Sequence, residues 1–94
     1  MHAVVRRYMG AGPLARAMLE RRQEVEAVLH GVPGFRGYYA LRAKDGTVAT
    51  ITVCDDQAGT SESTRRAAAW VRQHLAGVAL SPAEITEGEV HLAL

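Results

Sequence analysis

The chain has 94 residues, 48% of them hydrophobic and 22% charged, and its eleven basic and ten acidic side chains leave a formal charge of +1. That length holds one domain and excludes a second core, the composition excludes a disordered chain, and the near-neutral balance gives no electrostatic footprint for nucleic acid or an anionic membrane surface. With one cysteine, no signal-peptide core at the N-terminus and no run approaching the roughly 18 apolar residues of a membrane span, a single cytoplasmic domain over residues 1–94 is expected.

His2 to Met9 carries Val4, Val5, Tyr8 and Met9 and ends at Gly10-Ala11-Gly12-Pro13, a cluster that no regular element should cross; it reads as a strand. The adjacent valines leave the face taken by Tyr8 open. Leu14 to His30 favours helix, with Leu14, Met18, Val25, Val28 and Leu29 on one stripe. Arg21 and Arg22 interrupt the stripe, but long Arg stems cover apolar surface, so one continuous helix is expected. Gly31 and Pro33-Gly34 stop it.

Phe35 to Ala43 and Thr47 to Cys54 are rich in aromatic and β-branched residues and flank Lys44-Asp45-Gly46. A three-residue loop with Gly46 left-handed pairs Ala43 with Thr47, Leu41 with Ala49, Tyr39 with Ile51 and Gly37 with Val53. This register gathers the apolar residues on one face, read as the helix-covered one. Arg36, Tyr38, Ala40 and Arg42 fall on the other face beside Val48, Thr50, Thr52 and Cys54. After the Asp55-Asp56 loop, Thr60 and Ser61 are candidate N-caps of a second helix reaching about Ala76. Its inward band is Ala67, Ala68, Trp70, Val71, His74 and Leu75, and Gly77 ends it. Beyond Ser81-Pro82, Ile85 and then Val90, Leu92 and Leu94 change parity across Gly88, which predicts a bulge there.

Two strand-helix-strand units with helices on one side of a four-stranded antiparallel sheet make a ferredoxin-like α+β fold, and the right-handed crossover rule gives the order 4-1-3-2. Tyr38, Ala40, Val48 and Thr50 then occupy a face that nothing in this chain covers. A homodimer through that sheet face is the expected partner arrangement.

Pro33-Gly34-Phe35-Arg36-Gly37-Tyr38-Tyr39 after the first helix, and Trp70-Val71 in the second, resemble the antibiotic biosynthesis monooxygenase-like domains of the dimeric α/β-barrel superfamily. The resemblance implies two ferredoxin-like units packed sheet to sheet, each with a ligand cavity between sheet and helices. Members include cofactor-independent quinone-forming oxygenases, haem-degrading enzymes and domains of no assigned activity. The enzymes of the family use a pocket Asn, and this chain contains none.

Two readings follow: a cofactor-independent monooxygenase-like enzyme acting on a small aromatic or quinol-like molecule, or a non-catalytic dimeric module that binds a small molecule or is simply structural. For the first, His74 and Tyr39 are the candidate catalytic residues and Trp70 and Met18 the candidate substrate-binding ones. Trp70 is otherwise a core anchor, and His74, one turn on, an edge residue with an imidazole that titrates near neutrality. Tyr39 is expected under the helices with its hydroxyl partnered or opening onto a cavity. Cys54 reads as a small filler at a strand end. The pairs Arg6-Arg7, Arg21-Arg22 and Arg65-Arg66 are expected on solvated faces in ordinary ion pairs. Gly10-Ala11-Gly12 runs into Pro13 and is no phosphate loop, and the four His are dispersed, so neither cofactor nor metal is expected.

Overall fold

The computed structural model describes residues 1–78, 80 and 82–94; Ser81 of the Ser81-Pro82 breaker lies outside them. β1 (His2–Tyr8) leads through a turn into α1 (Gly12–Glu20), where Pro13 sits in the first turn and its missing N–H costs nothing. α2 (Arg22–His30) follows, then the hairpin β2 (Phe35–Arg42) and β3 (Val48–Cys54), α3 (Gln57–His74) and β4 (Glu84–Glu89). The strands form one antiparallel sheet in the order β2-β3-β1-β4, which is the expected order read from the other edge. The ferredoxin-like class holds.

The hairpin forms in the expected register, Gly37 opposite Val53, Tyr39 opposite Ile51 and Leu41 opposite Ala49. Gly46 takes φ +89°, open to glycine at little cost, and the Ala43 N–H donates to the Thr47 carbonyl at 2.8 Å. Asp45 Oδ1 accepts from the Thr47 N–H at 2.9 Å and locks the turn. A bulge at Arg36 lets its guanidinium pair with Asp55 across 2.5 Å, within this chain.

The two faces of the sheet are opposite to the sequence reading. Val48, Thr50, Thr52 and Cys54 lie buried under the helices, and Tyr38 is half-buried beside them, while Tyr39 is 68% exposed on the outer face. The register was legible, but its sidedness was assigned by apolarity, and the covered face here carries the hydroxyls. β1 resolves the same way: Val4, Arg6 and Tyr8 point under the helices, and Ala3, Val5 and Arg7 point out.

Three helix segments replace the expected two. The run Glu20 to Glu24 is fully exposed and offers no apolar anchor, and Arg21 leaves the helical region at φ −114°, ψ 35°. α1 therefore docks through Leu14 and Met18, and α2 separately through Val25, Val28 and Leu29. α3 begins earlier than expected, at Asp56, whose Oδ1 accepts from the Gly59 N–H at 3.4 Å. Its inward face opens with Gly59, Thr60 and Ser63 before reaching Trp70, and Ala68 is exposed. β4 pairs with β1 without interruption from Arg7–Glu84 to His2–Glu89, so Gly88 forms no bulge. Leu92 and Leu94 lie beyond the strand, exposed. Among the described residues no helix is long and apolar enough to cross a membrane.

Candidate functional site

Between the sheet and the helices lies an inner cavity of about 50 Å³. Its floor comes from inward-pointing strand residues: Arg6 and Tyr8 on β1, Tyr38 on β2 and Thr50 on β3. The roof is mostly apolar, with Leu14 and Met18 from α1, Val25, Val28 and Leu29 from α2, and Ala67, Trp70 and Val71 from α3. Met18, Val25, Leu29 and Tyr38 also border a much larger open groove, about 980 Å³, between α1–α2 and β2. The inner cavity is thus the mostly apolar inner end of a cleft of ligand-binding size, with a few polar groups at its floor.

Arg6 dominates that end. It is 2% exposed, and its guanidinium donates from Nε to Thr50 Oγ1 at 3.2 Å, from Nη1 to Ser63 Oγ at 3.3 Å and Thr64 Oγ1 at 2.9 Å, and from Nη2 to Thr52 Oγ1 at 2.6 Å. Four hydroxyls solvate the cation, but no Asp or Glu pairs with it among the described residues. A second arginine bordering the cavity, Arg66, does have a carboxylate, Glu62 at 3.0 Å, and also donates to the Val28 carbonyl. The expectation of solvated, paired arginines therefore holds for Arg21, Arg65 and Arg66, each with a nearby Glu, and fails for Arg6.

The aromatic groups around Arg6 are donors. Burial pushes the Tyr8 and Tyr38 hydroxyls above their usual value, with the Arg6 charge opposing the rise in both. Both remain O–H groups at neutral pH, and Tyr38 donates to Met18 Sδ at 3.6 Å. Trp70 Nε1 is buried with no acceptor among the described residues.

The sequence candidates are distributed unevenly. Trp70 and Met18 both border the inner cavity. His74 stacks on Trp70, with ring centroids 4.5 Å apart, and its Nε2 lies 3.6 Å from Glu24 Oε2 on α2. It backs the indole and is not among the residues bordering the cavity. Tyr39 is a correction: it lies on the outer face, near only the open groove, and Tyr38 holds the inward position. Cys54 is fully buried, and burial together with Asp55 and Asp56 pushes its thiol up. Among the described residues no group of three or more His, Cys, Asp or Glu is placed to hold a metal ion.

The sequence reading missed Arg6 and its hydroxyl cage. The signal was present as two hydroxyl stripes: Thr50 and Thr52 at strand spacing, and Thr60, Ser63 and Thr64 at helical spacing. Two facing stripes of that kind need a buried donor between them.

No protein-family model matches the chain, and no characterised protein matches it by sequence. Solved structures do match. A protein of unknown function, NE2512 from Nitrosomonas europaea, superposes with a TM-score of 0.74 at 20% identity over 99% of this chain and 91% of that one. The heme-degrader MhuD from Mycobacterium tuberculosis, solved with two hemes bound in its active site, gives 0.70 at 20% identity over 100% and 99% of the two chains. SnoaB from Streptomyces nogalater, a cofactor-independent oxygenase, gives 0.64 at 23% identity over 99% and 95%. The chain shares the ferredoxin-like fold of these three proteins.

Proposed function

We propose that the chain is a single-domain, cytoplasmic, cofactor-independent monooxygenase-like enzyme acting on a small aromatic or quinol-like molecule. The observation that carries this is the apolar groove running into an inner cavity faced by Trp70, Tyr38 and Tyr8. The fold shared with SnoaB and MhuD supports the class of chemistry. In this reading Met18 holds the substrate ring at the junction with the groove, Trp70 faces the ring's inward oxygen and excludes water from the inner cavity, and Tyr38 takes the role first expected of Tyr39. His74 fixes the indole through stacking and is a positioning residue. An electron-rich quinol, entering as its anion after losing a proton to solvent at the open groove, supplies the electrons that dioxygen requires. One oxygen atom enters the ring as a hydroxyl, the other leaves as water, and the product is a hydroxyquinone.

The test is oxygen uptake with a panel of simple hydroquinones. Uptake above the buffer rate that falls about tenfold or more in Trp70→Ala, with a smaller loss in His74→Ala, supports the reading. No uptake with any quinol would remove it.

The working form we propose is a homodimer through the outer sheet face. Val5, Tyr39, Leu41, Ile51 and Val53 form an apolar surface there that no helix among the described residues covers. A two-fold axis lets one such patch cover its copy. Light scattering at micromolar concentration is expected to give twice the chain mass for the native protein and the monomer mass for Ile51→Glu. A monomer mass for the native protein would refute it.

A further inference from the structure

Arg6 presents a physical problem that the fold alone does not solve. Burying a cation costs several kcal/mol unless an anion offsets it, and hydroxyl dipoles supply hydrogen bonds without countercharge. Around this cation the cavity is lined by apolar groups, hydroxyls and the indole N–H, with no carboxylate among the described residues. Trp70 Nε1 lacks an acceptor among the described residues, and the hydroxyls of Tyr8, which is within hydrogen-bond reach of Arg6, and Tyr38 are held protonated by burial and keep an O–H to donate. A cavity with a buried positive charge, an unpartnered indole N–H and two phenolic O–H groups is complementary to an acceptor that carries negative charge. The volume agrees. About 50 Å³ has room for three or four water-sized groups, the size of an oxyanion head and smaller than an aromatic ring. A ring attached to that head would extend past Tyr38 and Met18 into the open groove.

We propose that the inner cavity is an oxyanion site in which Arg6, assisted by Tyr8, Tyr38 and Trp70, receives the anionic oxygen of a small aromatic ligand. The ligand is the missing counterion. The proposal deepens the enzymatic reading above, since an anionic quinol oxygen is the group dioxygen chemistry needs, and to that extent rests on it. Two ligand types carry the shared chemistry, aryl carboxylates and phenolates.

Calorimetric titration of the native protein at low ionic strength compares benzoate with benzamide, and 4-nitrophenolate with nitrobenzene. Each anion is expected to bind about tenfold or more tightly than its neutral partner. A preference confined to one pair names the ligand type. Arg6→Gln should erase the preference, Arg6→Lys should retain part of it, and Tyr38→Phe should weaken the anion several-fold while leaving the neutral partner unchanged. Because the native protein carries the main comparison, misfolding of an Arg6 variant leaves the test intact. Equal affinities within both pairs, or no binding of any of the four, would overturn the proposal and leave Arg6 a structural cation. The outcomes separate from the enzymatic test: anion binding without oxygen uptake removes only the reaction, and uptake that neither anion inhibits removes only the oxyanion site.

Discussion

Gly59→Ala tests how α3 is seated over the Arg6 cage. In an exposed helix the change would stabilise by about 1 kcal/mol through helix propensity, and by less in a first turn. Here an added Cβ would stand 2.7 Å from Cys54 Cβ and 2.9 Å from Cys54 Sγ, and closer still to the Pro33 carbonyl oxygen. Cys54 is fully buried on β3 and the Pro33 oxygen is backbone, so neither can rotate aside. Overpacking of this kind costs about 1–3 kcal/mol, and contacts with no soft partner belong in the upper half of that range. The net effect is a destabilisation of about 1–2 kcal/mol. For a domain this small that lowers Tm by about 5–15 °C. Thermal melts followed by circular dichroism, at one protein concentration so that any dimer contributes equally, read the shift. Gly88→Ala on the exposed strand β4 is the control, because nothing lies within 4 Å of its Cβ position and its φ is not positive; it should be neutral or slightly stabilising. A Gly59→Ala protein melting at or above the native temperature would refute the close packing of α3 on β3.

Three further outcomes follow from the same structure. The Thr47 N–H holds the Asp45 carboxyl below its ordinary 3.8, so its stabilisation is present above 3.8 and lost as pH falls through the folded value. Asp45→Ala should therefore destabilise at neutral pH, and the gap to the native protein should close in stronger acid. Tyr8 and Tyr38 have hydroxyls raised above 10.0 by burial, so their contribution is intact below 10.0 and is lost as pH rises through the folded values. Alkaline difference spectra should show two phenolates appearing late and together with loss of the fold, and early, reversible ionisation of all three tyrosines would contradict their burial. Cys54 should resist a disulfide reagent in the native protein and react on addition of denaturant, and rapid native labelling would contradict its packing against Gly59.

Much of the fold was legible because it rests on local rules. The Lys44-Asp45-Gly46 loop determines the hairpin register through one left-handed glycine, and the breakers at Gly10–Pro13 and Pro33-Gly34 punctuate the elements. The helical stripe from Leu14 to Leu29 packs as its spacing implies, and Trp70 and Met18 reach the cavity because the stripe rules apply to them. What escaped depends on tertiary context. The break at Arg21 is set by where two short helices dock, and the start of α3 at Asp56 by the close approach of Gly59 to β3. His74 lies at the right turn of the helix but behind the indole, stacked on Trp70 with its Nε2 3.6 Å from Glu24 on another element.

The inverted sheet carries the larger lesson: the sidedness assumption misplaced Tyr39, and the expectation that an arginine pair is solvated hid Arg6. Apolar strand residues were assigned to the helix-covered side, as a monomer with one core requires. In this sheet Val5, Ile51, Val53 and Leu41 face outward, while Arg6, Thr50 and Thr52 face the helices. A monomer gains nothing from that exchange: it exposes an apolar face and desolvates a cation. Both costs are offset if the outer face is buried by a second copy and the inner face is completed by an anionic ligand. The sidedness of the sheet thus links the proposed dimer and the proposed oxyanion site physically, although each is tested by its own experiment. An Ile51→Glu monomer that still prefers benzoate to benzamide would show that the cavity is built within one chain, as the cage of Thr50, Thr52, Ser63 and Thr64 around Arg6 implies.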